Sequence, residues 1–217
     1  MVTNLTIRGV SSFERAKMDW DKRYRTGETP WEKGAPAPPL LEWLGRRGGM
    51  QGGVLVPGCG LGHDVRAIAA VSPGAQVVGL DLAASALDQA RRFSLAGKET
   101  YQLADIFVLP IELTNRFEWV FEHTCFCAIE PWQRPNYVRG VIRALRPEGM
   151  LLAIFFLNPW DPGEAPEGGG PPFAVTREEL ESLFANHFEL VEELKPHTAY
   201  PGREGREIVR LLRKRPE

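Results

Sequence analysis

Three glycines alternate in Pro57-Gly58-Cys59-Gly60-Leu61-Gly62, between the apolar run Val54-Leu55-Val56 and a helically spaced segment at 63–71. Glycine has no Cβ, so such a loop turns tightly and admits a ligand close to the main chain. Asp81 closes the next apolar run, where a carboxylate can accept hydrogen bonds from both hydroxyls of a ribose. These residues point to a nucleoside-containing cofactor held by Gly58, Gly60, Asp81 and its neighbour Leu82. The alternative is a plain glycine turn with Asp81 as a helix cap. The dinucleotide fingerprint G-x-G-x-x-G is not met. His63 takes the third glycine's place and the last glycine comes one residue early. That form suits a cofactor with no pyrophosphate to seat on a helix N-terminus, and S-adenosylmethionine is one. Asp105 and Ile106, after a third short strand, offer a carboxylate to the exocyclic amine of its adenine and an apolar face to the ring.

His123 ends a further predicted strand. It can serve as a base toward a neutral thiol, as a neutral donor that orients an acceptor, or as a structural histidine satisfied by backbone. Strand alternation turns the preceding Glu122 to the other face. Cys125 and Cys127, two apart, are read as small buried residues on one face of that strand. Three cysteines cannot all pair, and no Cys or His cluster completes a zinc site. There is no Ser-His-Asp or paired-carboxylate constellation. In-line methyl transfer from a sulfonium needs neither, because the leaving group is neutral and an anionic acceptor is already a good nucleophile. Alignment and exclusion of water are the main requirements. Aromatic rings attract a sulfonium through cation–π interactions. Trp20, Trp31 and Phe126 are candidates, with core packing as the other reading of each.

The elements that must position these groups follow from periodicity. Strands are expected at 54–56, 76–80, 100–104, 119–124, 150–156, 188–194 and 207–212. Helices are expected at 63–71, 83–95, 131–145 and 176–184, the last with Thr176 as N-cap and Glu179 closing a capping box. The alternation predicts an α/β class: a Rossmann-like, doubly wound seven-stranded sheet, mostly parallel with a C-terminal antiparallel hairpin, and helices on both faces. Ligands in such sheets bind beyond the carboxyl ends of the strands. Proline and glycine crowd 27–39 and 158–172, where no sustained regular structure is expected. The first stretch, with an amphipathic segment at about 13–24, is read as a helix and lid spanning 1–39. The second is read as an active-site loop, with Trp160 packing on a neighbour. One domain is expected over the 217 residues.

Composition narrows the classes. Lys and Arg total 26 against 28 Asp and Glu, and a formal charge of −2 offers no electrostatic footprint for nucleic acid. Apolar residues at 43% allow a core of normal size. The longest unbroken apolar run, 150–157, is far too short to cross a bilayer, and the start lacks the features of a secretory signal. A reduced, cytoplasmic, monomeric protein acting on a small molecule is expected. The basic tail (Arg203, Arg206, Arg210, Arg213, Lys214, Arg215) is read mostly as a solvated strand face.

Longer motifs carry a resemblance. Leu145-Arg-Pro-Glu-Gly-Met-Leu-Leu152 resembles the L-[KR]-P-x-G segment of class I methyltransferases. Val56 stands where most of these enzymes have an acid, and with Pro57 this looks like the thiopurine S-methyltransferase superfamily. Trp20-Asp-Lys-Arg-Tyr24 and Gly27-Glu-Thr-Pro-Trp31-Glu-Lys-Gly34 resemble its N-terminal tryptophan signature. Phe126-Cys-Ala-Ile-Glu-Pro131 with Arg134-Pro135 resembles the plant and bacterial thiol/halide methyltransferase branch, of the harmless-to-ozone-layer type. Gly169-Gly-Pro-Pro-Phe173, His197 and Arg203-x-Gly205 agree with it, and the likeness spans about 13–214.

The resemblance implies that Trp20 and Trp31 close over the cofactor and that Tyr24 replaces a second tryptophan. Gly58 and Gly60 approach the methionine part, Asp81 the ribose, and Asp105 with Ile106 the adenine. His123 replaces a plant tyrosine beside the sulfonium, and Arg134 matches an arginine near cofactor and acceptor. Trp31, Phe126 and Arg134 are thereby the candidate acceptor contacts. The activity implied is methyl transfer from S-adenosylmethionine to a small thiol, hydrosulfide, thiocyanate or halide, leaving S-adenosylhomocysteine. An aromatic thiol of thiopurine type is the alternative acceptor. A NAD(P)-dependent oxidoreductase is the alternative class, opposed by His63 at the third glycine's place.

Overall fold

A computed structural model describes residues 18–216. Helix α1 (Trp20–Thr26) is capped by the Asp19 carboxylate, which accepts from Lys22 N at 2.9 Å, and ends at Gly27 in the left-handed conformation. Of the amphipathic stretch expected at 13–24, residues 13–17 lie outside the described residues. Next come α2 (Pro38–Arg47), β1 (Gly53–Pro57), α3 (His63–Val71), β2 (Gln76–Asp81), α4 (Ala84–Ala90), β3 (Glu99–Leu103) and β4 (Phe117–His123). The chain finishes with α5 (Arg134–Ala144), β5 (Leu145–Phe156), α6 (Arg177–Phe184), β6 (Phe188–Leu194) and β7 (Glu207–Lys214).

The strands form one seven-stranded sheet in the order β3-β2-β1-β4-β5-β7-β6. β1 to β5 run parallel, and β7 is antiparallel to both β5 and β6. Both faces are covered, so the central strands read as continuous apolar runs. Leu55, Val120, Leu151 and Phe155 pack toward α5 and α6, while Val54, Val56, Phe121 and Leu152 pack toward α2 and α3. The strand order reverses between β1 and β4, the switch point at which α/β sheets open a crevice for ligands. β1 leads into the glycine loop and β4 ends at His123.

Several boundaries differ from the sequence expectation. The Pro/Gly-rich stretch gives way to α2 at Pro38, because proline is tolerated in a helix's first turn, where its missing N–H has no intrahelical role. Leu40, Trp43 and Leu44 form that helix's buried stripe, a spacing already present in the sequence. α4 stops at Ala90 rather than at 95. The Glu99 carboxylate gathers the N–H groups of Ala96 (2.6 Å) and Gly97 (2.8 Å) into a turn that feeds β3. Cys125 and Cys127 are off the strand, in a turn around the 3₁₀ segment Phe126–Ala128. Thr176 caps Glu179 N, but the Glu179 carboxylate leaves the capping box to pair with Arg134 at 2.7 Å.

The basic tail is less solvated than expected, because β7 lies inside the sheet. Arg210 is buried between Glu181 and Glu193, and Lys214 is buried donating to the carbonyls of Ile142 and Leu145 at the end of α5.

Adjacent leucines on α2 test this packing. Leu40 is fully buried and Leu41 is 49% exposed. Leu40→Ala is expected to destabilise by about 2–5 kcal/mol and Leu41→Ala by less than about 0.5 kcal/mol, measured by urea unfolding.

Candidate active site

The glycine loop is fastened to the end of β2 by Asp81. One carboxylate oxygen accepts Gly60 N at 2.8 Å and the other Ala83 N at 2.9 Å. Burial pushes the Asp81 carboxyl above the usual range, and the N–H groups of Ala83, Gly60 and Leu82 oppose that shift. A carboxylate has about four acceptor sites, so these N–H groups do not exhaust it. All three loop glycines hold positive φ. At Gly58 (φ 62°) a Cβ would lie 2.8 Å from the Cys125 Cβ, and at Gly60 (φ 52°) it would lie 2.6 Å from the Tyr24 hydroxyl.

That hydroxyl belongs to the N-terminal segment, which lies across the loop. Trp31 Nε1 donates to Tyr24 Oη at 2.9 Å, and the Trp20 and Trp31 rings meet edge to face at 5.3 Å. Burial, with the Asp81 charge nearby, raises the Tyr24 phenol well above its ordinary value, so it stays a donor. The segment is pinned at three further points. Asp21 accepts Ser85 N at 2.8 Å, Glu32 pairs with His63 Nε2 at 3.0 Å, and Ala37 N donates to Asp64 at 2.7 Å. His63 thereby ties the segment to the start of α3.

Beyond β3, Asp105 caps the 3₁₀ segment Ile106–Val108 through Phe107 N at 2.8 Å. Leu82 beside Asp81 is 44% exposed, whereas Ile106 is only 7% exposed and packs mainly into the core.

β4 carries two polar side chains to opposite faces, as alternation requires. Glu122 is buried and accepts from Tyr137 Oη and, at 2.8 Å, from Phe126 N. Burial pushes its carboxyl up to about 7, against those hydrogen bonds and the nearby His123. On the other face, His123 Nδ1 lies 2.9 Å from an Asp64 oxygen and Nε2 lies 3.5 Å from Arg203 Nη1. Tyr200 stacks on the imidazole, with centroids 6.0 Å apart, and its hydroxyl donates to Ala35 O at 2.5 Å. The Arg203 guanidinium packs over Phe156 and Tyr200 and pairs with the buried Glu207 at 3.2 Å.

Two sequence candidates are corrected. Phe126 is 1% exposed and packs on Tyr137, Phe155 and Phe184, so its ring belongs to the core, not to the acceptor surface. Arg134 is fully buried. It pairs with Glu179, donates to the carbonyls of Phe173 and Ala174 at 3.1 Å, and lies over Phe126. It is a strut that ties α5 to α6 and to the end of the 158–172 loop. Trp160 closes that loop on itself by donating to Pro172 O at 2.9 Å.

Asp64, Tyr200 and Glu207 were missed among the site neighbours. They lie far apart in sequence, and only the position of Asp64, just after the glycine loop, hinted at a role. Among the described residues no His, Cys, Asp and Glu group could hold a metal ion, and no helix is long and apolar enough to cross a membrane.

This geometry fits S-adenosylmethionine. The Asp81 carboxylate with Leu82, and Asp105, stand at the carboxyl ends of β2 and β3 beside the glycine loop, and Tyr24, bonded to Trp31, meets that loop at Gly60. The sequence profile of the thiopurine S-methyltransferase family matches residues 15–213. The chain belongs to that family. It is 34% identical over 192 residues to thiocyanate methyltransferase 1 of Arabidopsis thaliana, covering 87% of this chain and 81% of the relative. It is 33% identical over 197 residues to a protein of the same plant named probable thiol methyltransferase 2, covering 89% and 84%. Among solved structures, the Burkholderia thailandensis 1,6-didemethyltoxoflavin-N1-methyltransferase, with S-adenosylhomocysteine bound, shares the fold. Its TM-score is 0.65 at 22% identity, over 90% of this chain and 85% of that one. The protein is a S-adenosylmethionine-dependent S-methyltransferase, and the nicotinamide alternative falls.

A pH test follows from Glu122. Its folded-state carboxyl titrates near 7 and its unfolded one near 4.5. The folded protein therefore binds the extra proton between those values, and stability falls as pH rises through the window. Glu122→Gln should flatten that part of the curve of Tm against pH. Parallel curves for variant and wild type would count against the assignment.

Proposed function

We propose that the chain methylates a small, soft sulfur or halide nucleophile: a simple thiol, hydrosulfide, thiocyanate or a heavy halide. The observation that carries this reading is the wall around His123, where a guanidinium and an imidazole sit among the rings of Tyr200 and Phe156. A small polarizable nucleophile finds hydrogen-bond and charge partners there within an aromatic surround. The plant relatives, named for thiol and thiocyanate transfer, support it.

In this reading Asp81 holds the ribose, and Asp105 with Leu82 and the edge of Ile106 receives the adenine. Gly58 and Gly60 make way for the methionine part, with Trp20, Tyr24 and Trp31 above. When bound, S-adenosylmethionine supplies an electrophilic methyl group on a sulfonium. The chain aligns the acceptor with that methyl and keeps water out, which is most of what an in-line displacement requires. His123 lies on the acceptor side.

The cofactor part is checked by calorimetry. Asp81→Ala removes two charge-assisted hydrogen bonds, each about 1.5–3 kcal/mol, so S-adenosylhomocysteine should bind at least tenfold more weakly. Equal affinities would remove Asp81 from the ribose. The acceptor part is checked by competing hydrosulfide, thiocyanate, iodide, thiophenol and a thiopurine in one turnover assay. The small acceptors should dominate. Turnover of the thiopurine alone would replace this reading with the aromatic-thiol one, and methylation only of oxygen or nitrogen would end both.

A further inference from the structure

Asp64 sits in the first turn of α3, immediately behind the glycine loop, and uses each carboxylate oxygen once. One accepts Ala37 N at 2.7 Å and the other faces His123 Nδ1 at 2.9 Å. A carboxylate only accepts, so Nδ1 carries the proton. At the other edge of the ring, Nε2 faces Arg203 Nη1 at 3.5 Å. A guanidinium only donates, so Nε2 presents its lone pair. The ring is thus bracketed by Asp64 from α3 and by Arg203 and Tyr200 from the segment before β7. Glu207 stands behind Arg203, and Glu122 lies on the reverse face of β4. The protein's own groups select one tautomer from both sides.

The geometry points to Asp64 as the positioning residue that makes His123 a proton acceptor for substrates arriving as S–H. This rests on the thiol-transfer reading above. The Arg203 contact is at the outer limit of a hydrogen bond, so an incoming thiol can take its place at small cost. The acceptor's S–H bond breaks and its proton goes to Nε2. The freed sulfur pair forms the new S–C bond to the methyl group, and the electrons of the old C–S bond leave with the neutral thioether. The resulting imidazolium keeps Nδ1–H on Asp64, whose charge stabilises it, as a buried aspartate does in serine hydrolases. Iodide and thiocyanate carry no proton and bypass the step. Asp64 also anchors the N-terminal segment through Ala37, so a test has to separate positioning from anchoring.

Asp64→Asn retains an oxygen for Ala37 N but turns an N–H₂ group to His123, which demands the opposite tautomer. In ¹⁵N NMR of the ligand-free protein, wild type should show a protonated Nδ1 and a bare Nε2, and the variant an inverted or mixed pattern. In turnover, Asp64→Asn should lose roughly 10²–10⁴-fold with an alkyl thiol and far less with iodide. Ala37→Pro removes the anchoring N–H at a φ of −56° that proline adopts, with its ring added to a fully buried position and Asp64 left facing His123, and should lower both acceptors by one factor. The inference is overturned if wild-type Nε2 carries the proton, or if Asp64→Asn depresses both acceptors equally. If the wild type methylates neither acceptor, the thiol-transfer reading fails, and the NMR spectra still decide whether Asp64 sets the tautomer. If Asp64→Asn does not fold, the wild-type spectrum and a thiol-selective loss in His123→Gln carry the test, and a loss shared by iodide overturns it.

Discussion

The site depends first on a buried carboxylate at the end of β2. Asp81 has lost most of its hydration, which disfavours its charge, and main-chain N–H groups from two loops restore part of what water supplied. The same bonds set the distance between the glycine loop and the start of α4. Without that carboxylate the two loops would have no common side-chain partner. One interaction therefore shapes the pocket and supplies part of its chemistry.

The N-terminal segment completes the site because it is too short and too rich in proline and glycine to bury itself. Tyr24 meets the glycine loop at Gly60, Trp20 and Trp31 pack edge to face, and the segment's polar groups find partners on the first turns of α3 and α4. Segments held by a few hydrogen bonds open at low free energy.

β4 shows how one strand serves two purposes. Its period of two sends Glu122 into the packing beneath α5 and His123 toward Asp64 and Tyr200 on the other face. Glu122 fastens the turn after β4 through Phe126 N, and that turn carries Cys125 up to Gly58. A group on the core face thus helps to fix the floor of the site on the other.

The sequence by itself determined the α/β class, most of the strands, the glycine loop with Asp81 and Asp105, and the opposite facing of Glu122 and His123. These follow from local rules: strand alternation, backbone freedom at glycine, and the position of a loop after a strand. Only tertiary structure decided that Phe126 and Arg134 belong to the core, since burial depends on which helix covers a residue. Only tertiary structure put Arg210 and Lys214 inside, because a strand's place in the sheet order is not a local property. The grouping of Asp64, His123, Tyr200, Arg203 and Glu207 was decided there as well. Those residues come from α3, β4 and the approach to β7, and no spacing along the chain encodes the distance between them. The parallel pairing of β1 with β4 brings the first two together, and the antiparallel return of β7 beside β5 adds the rest.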